Sequence, residues 1–212
     1  MMTYPVFFDQ VRKITMHDPL AEFLGAATNG LIEYTYTDAV KLAGHSCPTV
    51  AGAYLMAVKA LYKLFDGNIP ERGKVKVQFK EDAAKGVTGV IANVVGLITG
   101  ATQETGFKGI AGKFDRRNLL SFNAGINDDI CFVRIDTGAS VSMQYHPDMV
   151  PPMPETQELM QKSLSGNATE GEMEKFRELW QVRVKRILID HFDDPEMVKM
   201  TFQPAEENAL TK

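Results

Sequence analysis

The order of the hydrophobic patterns along the chain is the feature that most limits its fold. Apolar residues recur at helical spacing over about 48–65, whereas residues 74–80 alternate between polar and apolar as a half-buried strand does. Strand-like segments fill the middle of the chain, and helical spacing returns after residue 154. Because helices, strands and helices follow one another in blocks, the sequence predicts an α+β fold, with helices packed on one face of a mostly antiparallel sheet.

The middle of the chain supplies most of the predicted strands. Residues 87–99 are apolar and rich in β-branched side chains, which favours a buried strand. Three more strands are predicted over 118–122, 130–136 and 140–145. Gly138 suits the turn of a hairpin between the last two.

The hydrophobic pattern of the C-terminal third is typical of helices. A cluster of prolines over 147–154 is typical of a connector. Two helices are predicted after it, over about 155–164 and 169–192. Thr169 and Glu172 have the spacing of a capping box at the start of the second helix.

These patterns divide the chain into two parts. With 212 residues, it exceeds the roughly 150 residues of one average domain. We predict an α+β metal- or cofactor-binding domain over 1–150 and a C-terminal helical extension over 151–212. The last dozen residues are polar and are expected to fray.

Composition excludes several classes of function. The 27 acidic residues outnumber the 23 lysines and arginines, for a net charge of −4. Nucleic acid is not an expected partner, because proteins that bind it concentrate basic residues. No segment reaches the roughly 20 apolar residues of a membrane span, and the N-terminus lacks a signal-peptide pattern. The 2 cysteines cannot form a disulfide framework, so we expect reduced thiols and a cytoplasmic protein.

The segment Gly44-His45-Ser46-Cys47-Pro48 carries the densest group of potential metal ligands. Imidazole and thiolate both bind zinc, and two positions apart in a turn they can face one point. The turn leads into the N-terminus of the predicted helix, where free N–H groups favour negative charge. A packed histidine beside an inert thiol would have the same spacing. Two ligands also do not complete a zinc site, which normally has three or four from the protein.

The other histidines are the candidates for a further ligand. His146 ends a predicted strand in the kind of loop where sites are often built. His17 precedes a short predicted helix that Asp18 is expected to cap, and His191 lies on the last helix. Cys131 lies in an apolar strand and is expected to be a core thiol.

Haem is an alternative cofactor for the same residues. Haem iron takes thiolate and imidazole as axial ligands and needs only one or two from the protein. It also needs a large apolar pocket, which the 11 methionines and 12 phenylalanines could line. Those side chains are equally ordinary core residues.

A glycine-spaced segment over 100–117 is a second candidate site. Its glycines are interleaved with the cations Lys108, Lys113, Arg116 and Arg117. Backbone N–H groups in such a loop can hold an anion. The segment does not match the dinucleotide or phosphate-loop fingerprints, and a loop without a ligand would have the same composition.

The first motif resembles the signature of a known family. Residues 44–48, followed by Ala-Gly-Ala-Tyr at 51–54, resemble the Gly-His-x-Cys-Pro-Gly segment that heads a long helix in the formylmethanofuran dehydrogenase FmdE-like family. Residues 96–102 resemble the family's Thr-Gly-Cys-Thr segment. The resemblance covers roughly residues 35–145.

The resemblance implies an α+β homodimer that binds a metal such as zinc through His45 and Cys47. The chain departs from the family pattern at Thr49, where the family has glycine, and at Ala101, where it has cysteine. Residues 150–212 contain no cysteine, so the C-terminal zinc finger of some members is absent.

The leading expectation is a cytoplasmic, homodimeric metal-binding protein that holds zinc or a similar divalent ion at His45 and Cys47. His17 and His146 are the expected further cofactor ligands. One alternative is a haem carrier or sensor that uses the same segment. Another is a metal-dependent enzyme whose small anionic substrate is held by residues 108–117.

Overall fold

The computed structural model of the chain describes residues 4–205, which have the α+β fold that the sequence predicts. Among these residues, no helix combines the length and the apolar character that a membrane crossing requires. In chain order, the strands and helices are β1 (Ile14–His17), α1 (Pro19–Phe23), β2 (Leu31–Tyr34), α2 (Tyr36–Ala43), α3 (Pro48–Leu64), β3 (Val75–Phe79), α4 (Thr88–Thr99), β4 (Leu120–Ser121), β5 (Ile130–Arg134), β6 (Ser140–Tyr145), α5 (Thr156–Leu164), α6 (Glu170–Lys185) and β7 (Val198–Gln203).

Five strands form one sheet in the order β4-β3-β5-β6-β7. β4 is parallel to β3, and every other pair of neighbours is antiparallel. The alternation predicted for β3 is confirmed, since Val75, Val77 and Phe79 are buried while Lys76 is exposed. The predicted β5–β6 hairpin is also confirmed, and Gly138 adopts a φ of +74° in its turn. β1 and β2 form a separate antiparallel pair.

The long helix α3 is confirmed, and it is the most buried element of the fold. Twelve of its 17 residues are buried, and it packs against α4 and β6. Pro48 occupies its first turn, where a missing N–H costs nothing. A helix that is apolar on all sides is expected in the centre of a protein.

Residues 87–99 do not form the predicted buried strand; the segment forms α4. Its buried positions recur at helical spacing: Ala92, Val94, Val95, Ile98 and Thr99. A short apolar run does not by itself distinguish a buried strand from a buried helix. Packing against α3 outweighs the strand preference of its β-branched residues. The strand predicted over 118–122 is also shorter than expected, since β4 contains two residues.

The two C-terminal helices are confirmed as α5 and α6. Thr169 and Glu172 form the predicted capping box, with each side chain accepting the other residue's backbone N–H. α6 continues as a π-helical turn over Arg186–Asp190.

The prediction that the last dozen residues fray is wrong for residues 201–203, which belong to β7. Val198, Met200 and Phe202 alternate with polar residues along β7, but five of its six residues are exposed, and it is an edge strand that pairs with β6. Residues 206–212 of the predicted tail lie outside the described residues. The sheet therefore includes strands from both sides of residue 150, and the domain boundary there stays a prediction.

A buried ion cluster joins the N-terminal part of the fold to two loops. Asp18 caps α1 by accepting the N–H groups of Leu20 and Ala21, as the sequence predicts. Its carboxylate also accepts hydrogen bonds from Arg72 at 3.0 Å and from Arg116 at 2.7 Å. Burial raises the pKa of Asp18, but the bond from Arg72, the charge of Arg116 and the capped N–H group lower it more, so the pKa lies below its usual value.

Replacing Gly52 should destabilise the fold. A Cβ at Gly52 would overlap the ring of Tyr145, so Gly52→Ala should lower the free energy of unfolding by about 1–3 kcal/mol despite alanine's better helix propensity. Gly171, a helical glycine with open space around it, is the matched control, and Gly171→Ala should leave stability equal or slightly higher. Urea unfolding followed by circular dichroism measures both. Equal stability of the two variants would contradict this packing.

Asp18→Asn should destabilise the protein in a pH-dependent way. Asparagine still caps α1, but it removes the charge and puts an amide NH2 where one carboxylate oxygen accepts from an arginine. Loss of one partner from a buried ion pair costs about 3–5 kcal/mol. The contribution of Asp18 is present above about pH 4, the unfolded pKa of a carboxyl, and is lost as pH falls through the lower folded-state pKa.

The gap in unfolding free energy between wild type and Asp18→Asn should therefore narrow below about pH 4. Asp136→Asn is the control, because its pair with Arg134 is partly exposed and should cost at most about 1 kcal/mol. A gap that stays constant from about pH 6 to pH 2 would contradict the role given to the Asp18 carboxylate.

Candidate functional site

Residues 44–48 form the turn between α2 and α3. Gly44 ends α2 at a φ of +75°, and its N–H donates to the carbonyl of Val40. Cys47 is the N-cap of α3, and its Sγ accepts the N–H of Val50 at 3.5 Å. The half-buried sulfur of Cys47 therefore lies at the positive end of a 17-residue helix, where negative charge is stabilised.

Ser46 ties this turn to α2 and α6. Its hydroxyl donates to the side-chain carbonyl of Gln181 at 2.9 Å, and Tyr36 donates to the same hydroxyl at 2.9 Å. The indole N–H of Trp180 donates to the carbonyl of Ser46 at 2.9 Å. Three side chains thus fix the backbone between His45 and Cys47.

Sequence reasoning did not identify Tyr36, Trp180 and Gln181. Trp180 and Gln181 lie more than 130 positions from the turn, and no local spacing indicates that they reach it. The one available signal was the helical spacing of α6, which predicts a buried side for Trp180 without naming its partner.

Tyr145 crosses the first turns of α3. Its hydroxyl donates to the carbonyl of Pro48 at 2.8 Å, and its ring occupies the space that a side chain at Gly52 would need. Burial raises the pKa of Tyr145, so the hydroxyl stays protonated and keeps donating throughout the physiological pH range.

A cavity of about 250 Å³ opens beside the start of α3. Pro48 and Tyr145 form part of its wall, and two carboxylates, Glu81 and Asp129, also line it. Asp129 accepts the backbone N–H of Tyr145 at 3.2 Å. The cavity presents a mainly apolar surface that includes these two acidic groups.

His45 is exposed and has one hydrogen bond of defined direction. Its Nδ1 lies 2.9 Å from the carbonyl oxygen of Ala43. Because a carbonyl can only accept, Nδ1 carries the proton and Nε2 presents a lone pair. His45 also lines a hollow of about 140 Å³ with Val90 and Asn93 of α4.

The other predicted ligands have separate surroundings. Nε2 of His17 lies 2.8 Å from the carboxylate of Glu22. Nε2 of His146 is buried and has no hydrogen-bond partner within residues 4–205. His191 pairs with Asp194 at 2.9 Å, and Cys131 is buried, as its place in an apolar strand predicts.

The described part of the chain does not bring three potential metal ligands together. Within residues 4–205, no group of three or more His, Cys, Asp or Glu side chains is arranged to hold a metal ion. His45 and Cys47 thus offer one nitrogen and one sulfur, and His17 and His146 do not join them in a three-ligand cluster. The assignment of these four residues as ligands stays a prediction.

Comparisons with known proteins give one finding. A family model described as "FmdE, Molybdenum formylmethanofuran dehydrogenase operon" matches residues 42–194, which is well over half of the chain. The matched region includes the turn at 44–48, α3, the sheet up to β6 and α6. A search of curated proteins finds no match.

Tyr145→Phe should weaken the attachment of β6 to the start of α3. The variant keeps the ring against Gly52 but loses the bond to the Pro48 carbonyl, which should cost about 1–2 kcal/mol of unfolding free energy. Tyr62 is the matched control, because its hydroxyl also donates to a backbone carbonyl, that of Lys13, while its side chain is 41% exposed. Tyr62→Phe should cost about 0.5 kcal/mol or less. An equal cost for the two variants, measured by urea unfolding, would contradict the role of Tyr145.

Proposed function

Since this chain belongs to the FmdE family, named for the molybdenum formylmethanofuran dehydrogenase operon, we propose that it binds a divalent metal ion through Cys47 and His45. Zinc is the first candidate, because a thiolate sulfur and an imidazole nitrogen are ligands that zinc prefers. The family match covers both residues.

The hydrogen bonds of His45 and Cys47 leave one donor atom of each residue suited to a metal, and this observation supports the proposal most directly. The Nδ1 proton of His45 is committed to the Ala43 carbonyl, so Nε2 is the nitrogen with a lone pair. Metal-binding histidines commonly use their second nitrogen in this way, since that bond fixes the tautomer and the ring. The Sγ of Cys47 accepts a helix N–H, an environment that supports a metal-bound thiolate.

The turn is also held in advance of binding. Ser46, between the two donors, is tied by Tyr36, Trp180 and Gln181, which restricts the backbone that carries both side chains. A fixed set of ligands lowers the ordering cost of binding an ion. These three residues act on the metal only through the turn.

The remaining coordination positions come from outside this pair of residues. Water, a small molecule or a second copy of the chain are the available sources, and we propose a homodimer as the family resemblance implies. A metal with an open position polarises a bound oxygen or carbonyl group. Binding through a thiolate needs a reduced cysteine, which fits the proposed cytoplasmic location.

Haem is the alternative occupant of the same residues. The hollow that His45 lines has about 140 Å³, and the nearby cavity beside Pro48 has about 250 Å³. Both volumes are below the roughly 300–1,000 Å³ of pockets that hold drug-sized ligands. A macrocycle would need more apolar volume than either offers, so the geometry favours a metal ion over haem.

Zinc binding should depend on Cys47 and His45 and on neither of the matched controls. We expect Cys47→Ser and His45→Ala each to weaken zinc binding by about tenfold or more, in competition with a chromophoric chelator under reducing conditions. Cys131→Ala and His191→Gln are the controls and should bind as wild type does. In the cobalt-loaded protein, the thiolate-to-metal absorption band should disappear in Cys47→Ser.

Three outcomes would contradict the proposal. One is unchanged zinc affinity in the double variant Cys47→Ser/His45→Ala, with its fold confirmed by circular dichroism. Another is the absence of any zinc binding by the wild-type protein. The third is a Soret band after incubation with haem, lost in Cys47→Ser, from a protein that does not bind zinc, which would select the alternative cofactor.

A further inference from the structure

A second cavity, of about 440 Å³, lies at the opposite end of α4 from the turn that carries Cys47. Arg72 lines it and donates to the carbonyls of Leu97 and Ile98, in the last turns of α4. The cavity beside Pro48 is lined instead by residues at the start of α4, such as Thr88. Because α4 has 12 residues and is about 18 Å long, the two cavities are separate sites.

The walls of the second cavity carry an excess of positive charge. The cations Arg72, Lys74, Lys113 and Arg116 line it, against the carboxylates Glu71 and Asp115. Asp115 is already paired with Arg117 through two hydrogen bonds. The cavity therefore favours an anionic ligand.

The buried carboxylate behind the cavity does not neutralise this charge. Asp18 faces two guanidinium groups, those of Arg72 and Arg116, and also accepts two backbone N–H groups as the cap of α1. Glu71 also attracts Arg116, and Asp115 is paired with Arg117. The carboxylates of Asp18 and Glu71 thus face four cations, Arg72, Lys74, Lys113 and Arg116, and the net charge stays positive. Uncompensated charge away from water is costly, and a bound anion would offset that cost.

Arg116 has donors that the protein does not use. Its side chain is 6% exposed, and only Nη2 has a partner, Asp18. Nε and Nη1 are buried and have no acceptor within residues 4–205. Buried polar groups are nearly always hydrogen-bonded, so two unused donors of one guanidinium beside a cavity indicate a missing acceptor.

The backbone around the cavity is shaped to admit this guanidinium. Gly73 has a φ of +86°, and a Cβ there would overlap Nη1 of Arg116. Gly109 and Gly112 also have left-handed φ values, and Ile110 pairs with Lys113 across a tight turn that contains Gly112. This part of the glycine-spaced segment turns back and brings Lys113 and Arg116 to the same cavity.

We propose that this cavity binds a phosphate group, either as inorganic phosphate or as the phosphate of a small metabolite. Guanidinium N–H groups match the oxygens of a phosphate, and the exposed Lys74 and Lys113 supply point charges for an ion that carries close to two negative charges. The cavity volume leaves room for an organic group beside the phosphate. The site is independent of the metal proposed at Cys47.

Titration calorimetry with inorganic phosphate and with glycerol 3-phosphate, at ionic strength matched with chloride, tests the proposal. We expect saturable binding of one equivalent to the wild-type protein. Lys113→Ala and Lys74→Ala should each weaken binding by about tenfold, the effect of losing one charge-assisted contact. Lys76→Ala is the matched control, since Lys76 is an exposed lysine of β3 outside the cavity, and it should bind as wild type does.

Arg116→Lys tests the guanidinium itself, because it keeps the charge but removes the donors that lack partners. We expect it to lose most phosphate affinity, and the two exposed lysine variants keep the test valid if it does not fold. Cys47→Ser should bind phosphate as wild type does, which separates this inference from the metal site. Equal affinity for the two probes supports inorganic phosphate, and tighter binding of glycerol 3-phosphate supports a phosphate ester.

Three results would overturn the proposal. The first is the absence of saturable heat with either probe at millimolar concentration. The second is an equal loss of affinity in Lys113→Ala, Lys74→Ala and Lys76→Ala, because that pattern would reflect overall charge and not this cavity. Competition by malonate as strong as the binding of phosphate itself would also overturn it, by reassigning the site to carboxylates.

Discussion

The burial of α3 is the constraint on which the other elements depend. A helix that is apolar on most of its circumference must be covered by other elements, and α4, β6 and α2 cover most of it. At Gly52 the contact with Tyr145 is so close that a methyl group would not fit. Because the same residues hold the first turn of α3, the packing of the core also fixes the position of Cys47. The candidate site is therefore a product of the core and not of a separate loop.

The sequence predicts the parts of this arrangement that local chemistry decides. Pro48 and the apolar spacing define α3, Thr169 and Glu172 define the start of α6, and alternation defines β3. The same reasoning predicts a strand where α4 forms. Its apolar residues are compatible with a buried strand or a buried helix, and only the packing neighbours decide between them. The reasoning also misses β7, although Val198, Met200 and Phe202 alternate with polar residues, because this short pattern borders a polar tail and the pairing with β6 exists only in the folded chain.

The sequence predicts the two potential ligands of the candidate site but not the residues that hold them in place. His45 and Cys47 are close in sequence, and their ligand chemistry can be recognised from two letters. The contacts of Ser46 with Trp180 and Gln181 join positions more than 130 residues apart, so they exist only in the folded chain. The same holds for the cavity beside Arg116, whose carboxylate partner, Asp18, is 98 positions away. The glycine-spaced segment over 100–117 indicates an anion-binding loop, but the segment alone does not show that Arg116 pairs with Asp18.

The bond between Trp180 and Ser46 has a practical consequence. This indole belongs to the single tryptophan of the chain, and it donates a hydrogen bond to the carbonyl of Ser46, between His45 and Cys47. Indole emission responds to the polarity and hydrogen bonding of its surroundings. The tryptophan fluorescence of the native protein therefore has one source, and it is hydrogen-bonded to the turn that carries the proposed donors. Occupancy at that turn can be followed optically, without attaching a dye.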